Sequence, residues 1–179
     1  DLFFDVGAHL GEKSKELIKN NIHVVMVEPQ PNCLKQLNII GKLKAIGNIY
    51  VSKPYGYEAQ NNFYNTAIEL QTALEPIQLM KKIQIIENRL HKNKIIINGP
   101  RRIDIDIIFF NSLKLNLDNL VIPHPRAIKR DFVIYPLCDI DPFFRHPVEK
   151  KSLKKIKNEI KEYYIEKKIK QPKDLFSIH

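Results

Sequence analysis

The chain is short of the residues that mark several protein classes. It has two cysteines, Cys33 and Cys138, among 179 residues. They lie far apart and form no Cys-x-x-Cys pair, so neither a zinc knuckle nor a disulfide framework is indicated, and a reducing compartment fits. No apolar run approaches the length of a membrane span. The start lacks the basic-then-apolar pattern of a signal peptide, and together these absences lead to the expectation of a cytoplasmic protein. Tryptophan is absent, so nine Phe and seven Tyr supply every aromatic surface. The first residue is Asp1, which leads to the expectation that the true N-terminus lies upstream.

Acidic residues are outnumbered: 29 Lys and Arg face 20 Asp and Glu, for a net charge of +9. That balance suits a polyanionic partner, either a nucleoside triphosphate or a nucleic acid. Much of the excess lies beyond Lys150, where Lys150–Lys170 reads as a basic helix with Leu153, Ile156, Ile160 and Tyr163 along one side. No aromatic or Gly-rich pattern interleaves with those lysines, so docking on the domain is favoured over nucleic-acid binding. A hydrophobic content of 44% with 27% charged residues is ordinary for a globular protein. The length admits one domain with a sizeable core, or one domain plus a fragment.

The most informative stretch is Asn98-Gly99-Pro100-Arg101-Arg102-Ile103-Asp104-Ile105-Asp106-Ile107-Ile108-Phe109-Phe110. Asn-Gly-Pro opens it as a turn. The remainder alternates as a strand, with Ile103, Ile105, Ile107 and Phe109 on one face and Arg102, Asp104, Asp106, Ile108 and Phe110 on the other. Two carboxylates at i and i+2 are neighbours roughly 6.5–7 Å apart along the backbone. Such a pair repels itself unless a cation intervenes, and two hard oxygen ligands suit Mg²⁺ delivered with phosphates. A salt-bridged surface face explains the spacing equally well.

The front of the chain reads as Leu2–Val6 (strand), a Gly7-Ala8-His9-Leu10-Gly11 turn, a helix near Glu12–Lys19, and a second strand, His23–Val27, ending in Glu28. This is the opening of a Rossmann-like βαβ unit, with the acid placed for ribose hydroxyls. Asp5-Val6-Gly7-Ala8-His9-Leu10-Gly11-Glu12-Lys13 with Val27-Glu28-Pro29-Gln30-Pro31 resembles the start of an FkbM-type S-adenosylmethionine-dependent methyltransferase. A packing βα unit that binds nothing is the plainer reading. Further along, Asn32–Lys44 reads as a helix, Ala45–Lys53 and Phe63–Thr72 as strands, and Glu75–Leu90 as a helix with Leu79, Ile83, Ile86 and Leu90 buried. Gln84 and Glu87 lie on a flank of that helix, where a solvated face is the usual explanation. Asn111–Asn119 reads as a polar loop with a short hairpin. His124 stands between prolines, and Phe132–Leu137 reads as a strand or short helix.

Four motifs in order bring a second resemblance. Tyr50-Val51-Ser52-Lys53-Pro54-Tyr55-Gly56, Gln60-Asn61-Asn62-Phe63-Tyr64-Asn65, Gly99-Pro100-Arg101-Arg102-Ile103-Asp104-Ile105-Asp106-Ile107, and Pro123-His124-Pro125-Arg126 with Arg130-Asp131-Phe132-Val133 closely resemble the 6-hydroxymethyl-7,8-dihydropterin pyrophosphokinases of folate biosynthesis. The resemblance implies pyrophosphoryl transfer from ATP, with Asp104 and Asp106 as ligands of two Mg²⁺ ions. It also implies a pterin pocket of Ser52, Tyr55, Phe63, Asn65 and Phe132. Gln84 and Glu87 fall on the helix that meets the nucleoside. Arg101, His124 and Arg130 match phosphate contacts, and Lys92 and Lys94 stand where loop arginines are usual. Arg101 and Lys92, with the two acids, form the expected catalytic set. Asn98 replaces a Trp frequent in the family, which removes a stacking surface over the pterin.

These observations lead to an α+β fold, a ferredoxin-like sandwich with helices on one side of a mainly antiparallel sheet, preceded by a partial Rossmann-like segment. The expected division is a methyltransferase-like fragment at 1–38, a pterin pyrophosphokinase domain at 39–149, and a basic C-terminal helix and tail at 150–179. A monomer acting on small molecules is expected. A methyltransferase fragment, or an inactive fusion with a nucleic-acid-binding tail, stands as the alternative.

Overall fold

Runs of β-branched and aromatic residues, separated by polar turns, dictate a sheet-dominated chain. In the computed structural model, residues 20–27, 31–55, 61–90 and 103–171 are described, with the backbone alone over 20–27 and at 31. The elements in order are β1 (Asn20–Val27), α1 (Pro31–Ile40), β2 (Lys42–Ile46), β3 (Ile49–Ser52), β4 (Phe63–Thr72) and α2 (Pro76–Arg89). They continue as β5 (Asp104–Phe110), β6 (Leu115–Leu117), β7 (Leu120–Ile122), a short 3-10 turn at Ala127–Lys129, α3 (Asp131–Ile140), α4 (Leu153–Glu159) and β8 (Ile165–Ile169). The main sheet runs β5-β1-β4-β3-β8, with β2 also paired to β4. Each of its described pairings is antiparallel. β6 and β7 form a separate hairpin.

The expectation of helices on one side gives way to a two-sided arrangement. Ile68, Leu70, Ile105 and Ile107 pack with Cys33 and Leu37 of α1 and with Leu79, Ile83 and Ile86 of α2. Ala67, facing the other way on β4, packs with Phe132, Val133, Ile134 and Leu137 of α3 and with Leu153 and Ile156 of α4. Strand alternation sends neighbouring residues to opposite faces, and both faces of β4 are apolar enough to be covered.

Three boundaries also differ from expectation. The strand expected at Ala45–Lys53 is two strands, β2 and β3, with Gly47 between them. A Cβ at Gly47 would collide with the Pro136 carbonyl oxygen of α3, so only glycine admits that crossing. The helix expected at Asn32–Lys44 ends at Ile40, and Lys42–Ile46 pairs with β4 instead. The long basic helix is confined to Leu153–Glu159. Of its remainder, Ile165–Ile169 form β8, paired along β3, and Tyr163 is 62% exposed rather than part of a buried stripe. Phe132–Leu137 is helical, within α3.

β5 carries a bulge. Val24 of β1 pairs with Ile107 and His23 with Phe109, which leaves Ile108 as the extra residue. Ile108 and Phe109 therefore face the α3/α4 core together, while Phe110 returns to the side of Ile105 and Ile107. The simple alternation expected through Phe110 fails at that point. It holds at Asp104 and Asp106, upstream of the bulge.

Candidate active site

Two groups of side chains approach each other across β5 and the start of α3. The first stands at the sheet edge, because β5 is a terminal strand and α2 lies along its outer side. Glu87 is 4% exposed, and its Oε1 accepts a hydrogen bond from the Ile105 amide at 2.9 Å. This corrects the solvated-face reading of Glu87: the carboxylate satisfies an edge amide between the two aspartates and fastens α2 to β5. Nearby, burial foremost and Glu87 second push the Cys33 thiol up to about 12, so it stays protonated. Gln84, one turn earlier, is exposed.

A cavity of about 350 Å³ opens here, lined by Gln84, Glu87, Asp106 and His124 together with Asp118, Asn119 and Leu120. Asp104 is two residues from Asp106 on the same face of β5, and both are half-buried. His124 is anchored by its amide donating to the Ile108 carbonyl at 3.0 Å, and its Nδ1 accepts from the Arg126 amide. Burial lowers the His124 pKa, Asp106 works against that shift, and Arg130 and Arg126 reinforce it. The imidazole is therefore neutral near pH 7. Among the described residues no group of three or more His, Cys, Asp or Glu could hold a metal. The donor set is instead two hard carboxylates on a rigid strand, which fits Mg²⁺ completed by water and phosphate oxygens.

The second group lies at the paired ends of β3 and β4, where Tyr50 opposes Asn65 and Ser52 opposes Phe63. Asn65 is 1% exposed. Its amide donates to Ser52 Oγ at 2.9 Å and to the carbonyls of Tyr50 and Phe63 at 3.1 and 3.3 Å. Tyr55 and Phe132 meet edge to face, 6.2 Å between centroids, and Tyr164 packs against both at 5.3 and 6.0 Å. Such T-shaped pairs add rigidity beyond area burial.

Arg130 joins the groups. Its guanidinium carbon sits 4.7 Å from the Tyr55 ring and 5.8 Å from the Phe132 ring. Burial lowers its pKa, as does Arg126, while Asp106 and Tyr55 oppose the shift, so it feels both ends of the site. Its buried Nε lacks a hydrogen-bond partner among the described residues. A guanidinium N–H left in that state invites an acceptor from a ligand.

Of the expected site residues, Ser52, Tyr55, Phe63, Asn65, Gln84, Glu87, Asp104, Asp106, His124, Arg130 and Phe132 fall within these two groups, whereas Lys92, Lys94 and Arg101 lie outside the described residues. Sequence reasoning missed Asp118 and Asn119 at the cavity rim and Tyr164 in the aromatic cluster. The β-branched and aromatic run Tyr163-Tyr164-Ile165 was the available strand signal.

Comparison with known proteins gives consistent results. The family model described as 7,8-dihydro-6-hydroxymethylpterin-pyrophosphokinase (HPPK) matches residues 6–142. The 2-amino-4-hydroxy-6-hydroxymethyldihydropteridine pyrophosphokinase of Aquifex aeolicus is 31% identical over 158 residues, covering 88% of this chain and 91% of that protein. The folic acid synthesis proteins of Pneumocystis carinii and Dictyostelium discoideum are 35% and 38% identical, each over 82% of this chain. The chain spans about a fifth of the length of those two relatives, 18% and 20%. Among solved structures, an HPPK-DHPS described as in complex with substrates superposes with a TM-score of 0.62 at 14% identity, over 78% of this chain and 42% of that one. Wild-type HPPK-DHPS of Plasmodium falciparum gives 0.59 at 15% identity, over 78% and 44%. These structural likenesses establish the α+β fold.

Proposed function

This chain belongs to the 7,8-dihydro-6-hydroxymethylpterin-pyrophosphokinase family, and from that premise we propose that it transfers the pyrophosphoryl group of ATP to the hydroxymethyl oxygen of 6-hydroxymethyl-7,8-dihydropterin, releasing AMP. The observation that carries the proposal is the placement of Arg130. One guanidinium, whose buried Nε has no hydrogen-bond partner among the described residues, lies over the Tyr55 and Phe132 rings and within electrostatic reach of Asp106.

In this reading the hydroxymethyl oxygen bonds to the β-phosphorus, and the bond from that phosphorus to the α–β bridging oxygen breaks. AMP departs with the bridging oxygen and the hydroxyl proton passes to solvent. Little covalent chemistry is asked of the protein, so its contribution is placement and charge. Ser52 and Asn65 supply the polar wall for the pterin edge, and Tyr55, Phe63 and Phe132 supply aromatic surface for its faces. Arg130 and His124 contact phosphate oxygens, and Arg130 excludes water at the junction of the two substrates. Gln84 and Glu87 border the nucleoside. Lys92, Lys94 and Arg101 would add cations from segments outside the described residues. Asp104 and Asp106 would hold two Mg²⁺ ions, which supply charge neutralisation at the triphosphate. No side chain is assigned as a general base. Two cysteines that form no Cys-x-x-Cys pair fit a reducing cytoplasm.

The test is AMP formation from ATP and the hydroxymethylpterin with Mg²⁺, run beside Asp104→Ala. Pterin-dependent AMP that the substitution abolishes supports the proposal; AMP formation indifferent to pterin or to the substitution contradicts it.

A further inference from the structure

Tyr164 and the last described strand after it lie beyond the residues matched by the family model, which end at 142, yet together they touch every segment that carries the flat-ring group. The Tyr164 carbonyl accepts from the Lys53 amide at 2.9 Å, next to Ser52 and two residues before Tyr55. The amides of Tyr164 and Ile165 both donate to Asp131 Oδ2 at 2.8 Å, while Asp131 Oδ1 accepts from the Phe132 amide at 2.8 Å. Asp131 is 0% exposed, so all of its hydrogen bonding must come from the protein. On the third side, Glu166 Oε2 accepts from Asn62 Nδ2 at 2.6 Å, beside Phe63, and Glu166 Oε1 stands 3.7 Å from Lys53 Nζ.

We infer that Tyr164 is a positioning residue for the flat-ring substrate, held by Asp131 so that its ring sets Tyr55 and Phe132 edge to face. The inference rests on the proposed function. A strand needed only to cap the sheet edge would require its ladder to β3, which runs from Ile165 to Ile169. It would not require an aromatic ring at 164 packed on two others, nor a buried carboxylate shared between its first amides and the start of α3. The ring restricts Tyr55 and Phe132 to one arrangement before substrate arrives, and such preorganisation shows in affinity for the ring that enters.

The experiment measures KM and kcat for both substrates in wild type, Tyr164→Ala, Tyr164→Leu and Tyr164→Phe, with melting temperatures and direct pterin titration. Loss of the aromatic contacts is expected to raise the pterin KM about tenfold. ATP KM is expected to stay within about twofold. Tyr164→Phe retains the ring and is expected to match wild type. Tyr164→Leu keeps apolar bulk, so it carries the test should the alanine variant fail to fold. An unchanged pterin KM, an equal rise in both KM values, or a defect in Tyr164→Phe as large as in Tyr164→Ala overturns the inference alone. Failure of wild type to bind pterin overturns the proposed function and this inference with it.

Discussion

The two ends of the site are built on opposite principles. The phosphate end is open and charged: half-buried Asp106 on an edge strand lines a cavity whose wall includes His124 and the exposed Gln84. The ring end is closed around buried Ser52 and Asn65 and internally bonded, with Asn65 donating to three protein acceptors and the partly exposed Tyr55 in mutual contact with Phe132 and Tyr164. Shape is set where buried hydrogen bonds already hold the backbone. Substitutions at the phosphate end should therefore cost activity at little cost in stability, and those at the ring end should cost both.

The largest effect is expected at Asp106. Asp106→Ala should lower the rate of AMP formation by about a thousandfold or more, since charge neutralisation at the phosphates dominates such reactions. Its melting temperature should stay near that of wild type; a large drop would break the comparison, because the open end would then carry the fold. Next comes Arg130, which belongs to both ends. Arg130→Ala should reduce kcat/KM for both substrates by about a hundredfold, and Arg130→Lys should recover part of the loss for ATP, a point charge replacing a fork. A defect confined to one substrate would remove Arg130 from the junction.

Asn65→Ala should destabilise by about 1–3 kcal/mol, because the buried Tyr50 carbonyl and the part-buried Phe63 carbonyl lose their side-chain donor. Chemical denaturation with substrate binding on the same sample measures it, and an unchanged midpoint would contradict the closed character of this end.

The smallest effect lies in the support beneath both ends. His146 packs against the Phe109 ring, and its Nδ1 accepts from the amides of Val148 and Glu149. Burial lowers its pKa below the ordinary 6.5, with Glu149 opposing. The unfolded chain then takes up the proton more readily than the folded one. Stability is full above about pH 6.5 and declines as pH falls below it. Melting temperatures between pH 7.5 and 5 should show that fall, with a shallower slope in His146→Gln.

Much of the open end was legible in the sequence. Period-two alternation puts Asp104 and Asp106 on one face whatever the strand pairs with, and the bulge at Ile108 comes too late to disturb them. Glu87 was misjudged because helical spacing alone places it on a flank; the free edge of β5, a tertiary neighbour, turns that flank inward. The closed end was less legible. Its rings at 55, 63, 132 and 164 are far apart in sequence, and only resemblance to a family singled out the first three. Tyr164 was hidden in a Lys- and Glu-rich run that favours a helix by propensity. The unpaired edge of β3 overrode that preference and drew the run into β8.

The central claim is that two phosphoryl units move together from ATP to the pterin, and ³¹P NMR of the reaction mixture tests it most directly. The account predicts AMP together with a pair of mutually coupled phosphorus resonances on the pterin product, appearing at equal rates. ADP with a single pterin phosphate resonance, or ATP left intact when pterin and Mg²⁺ are both present, would contradict it.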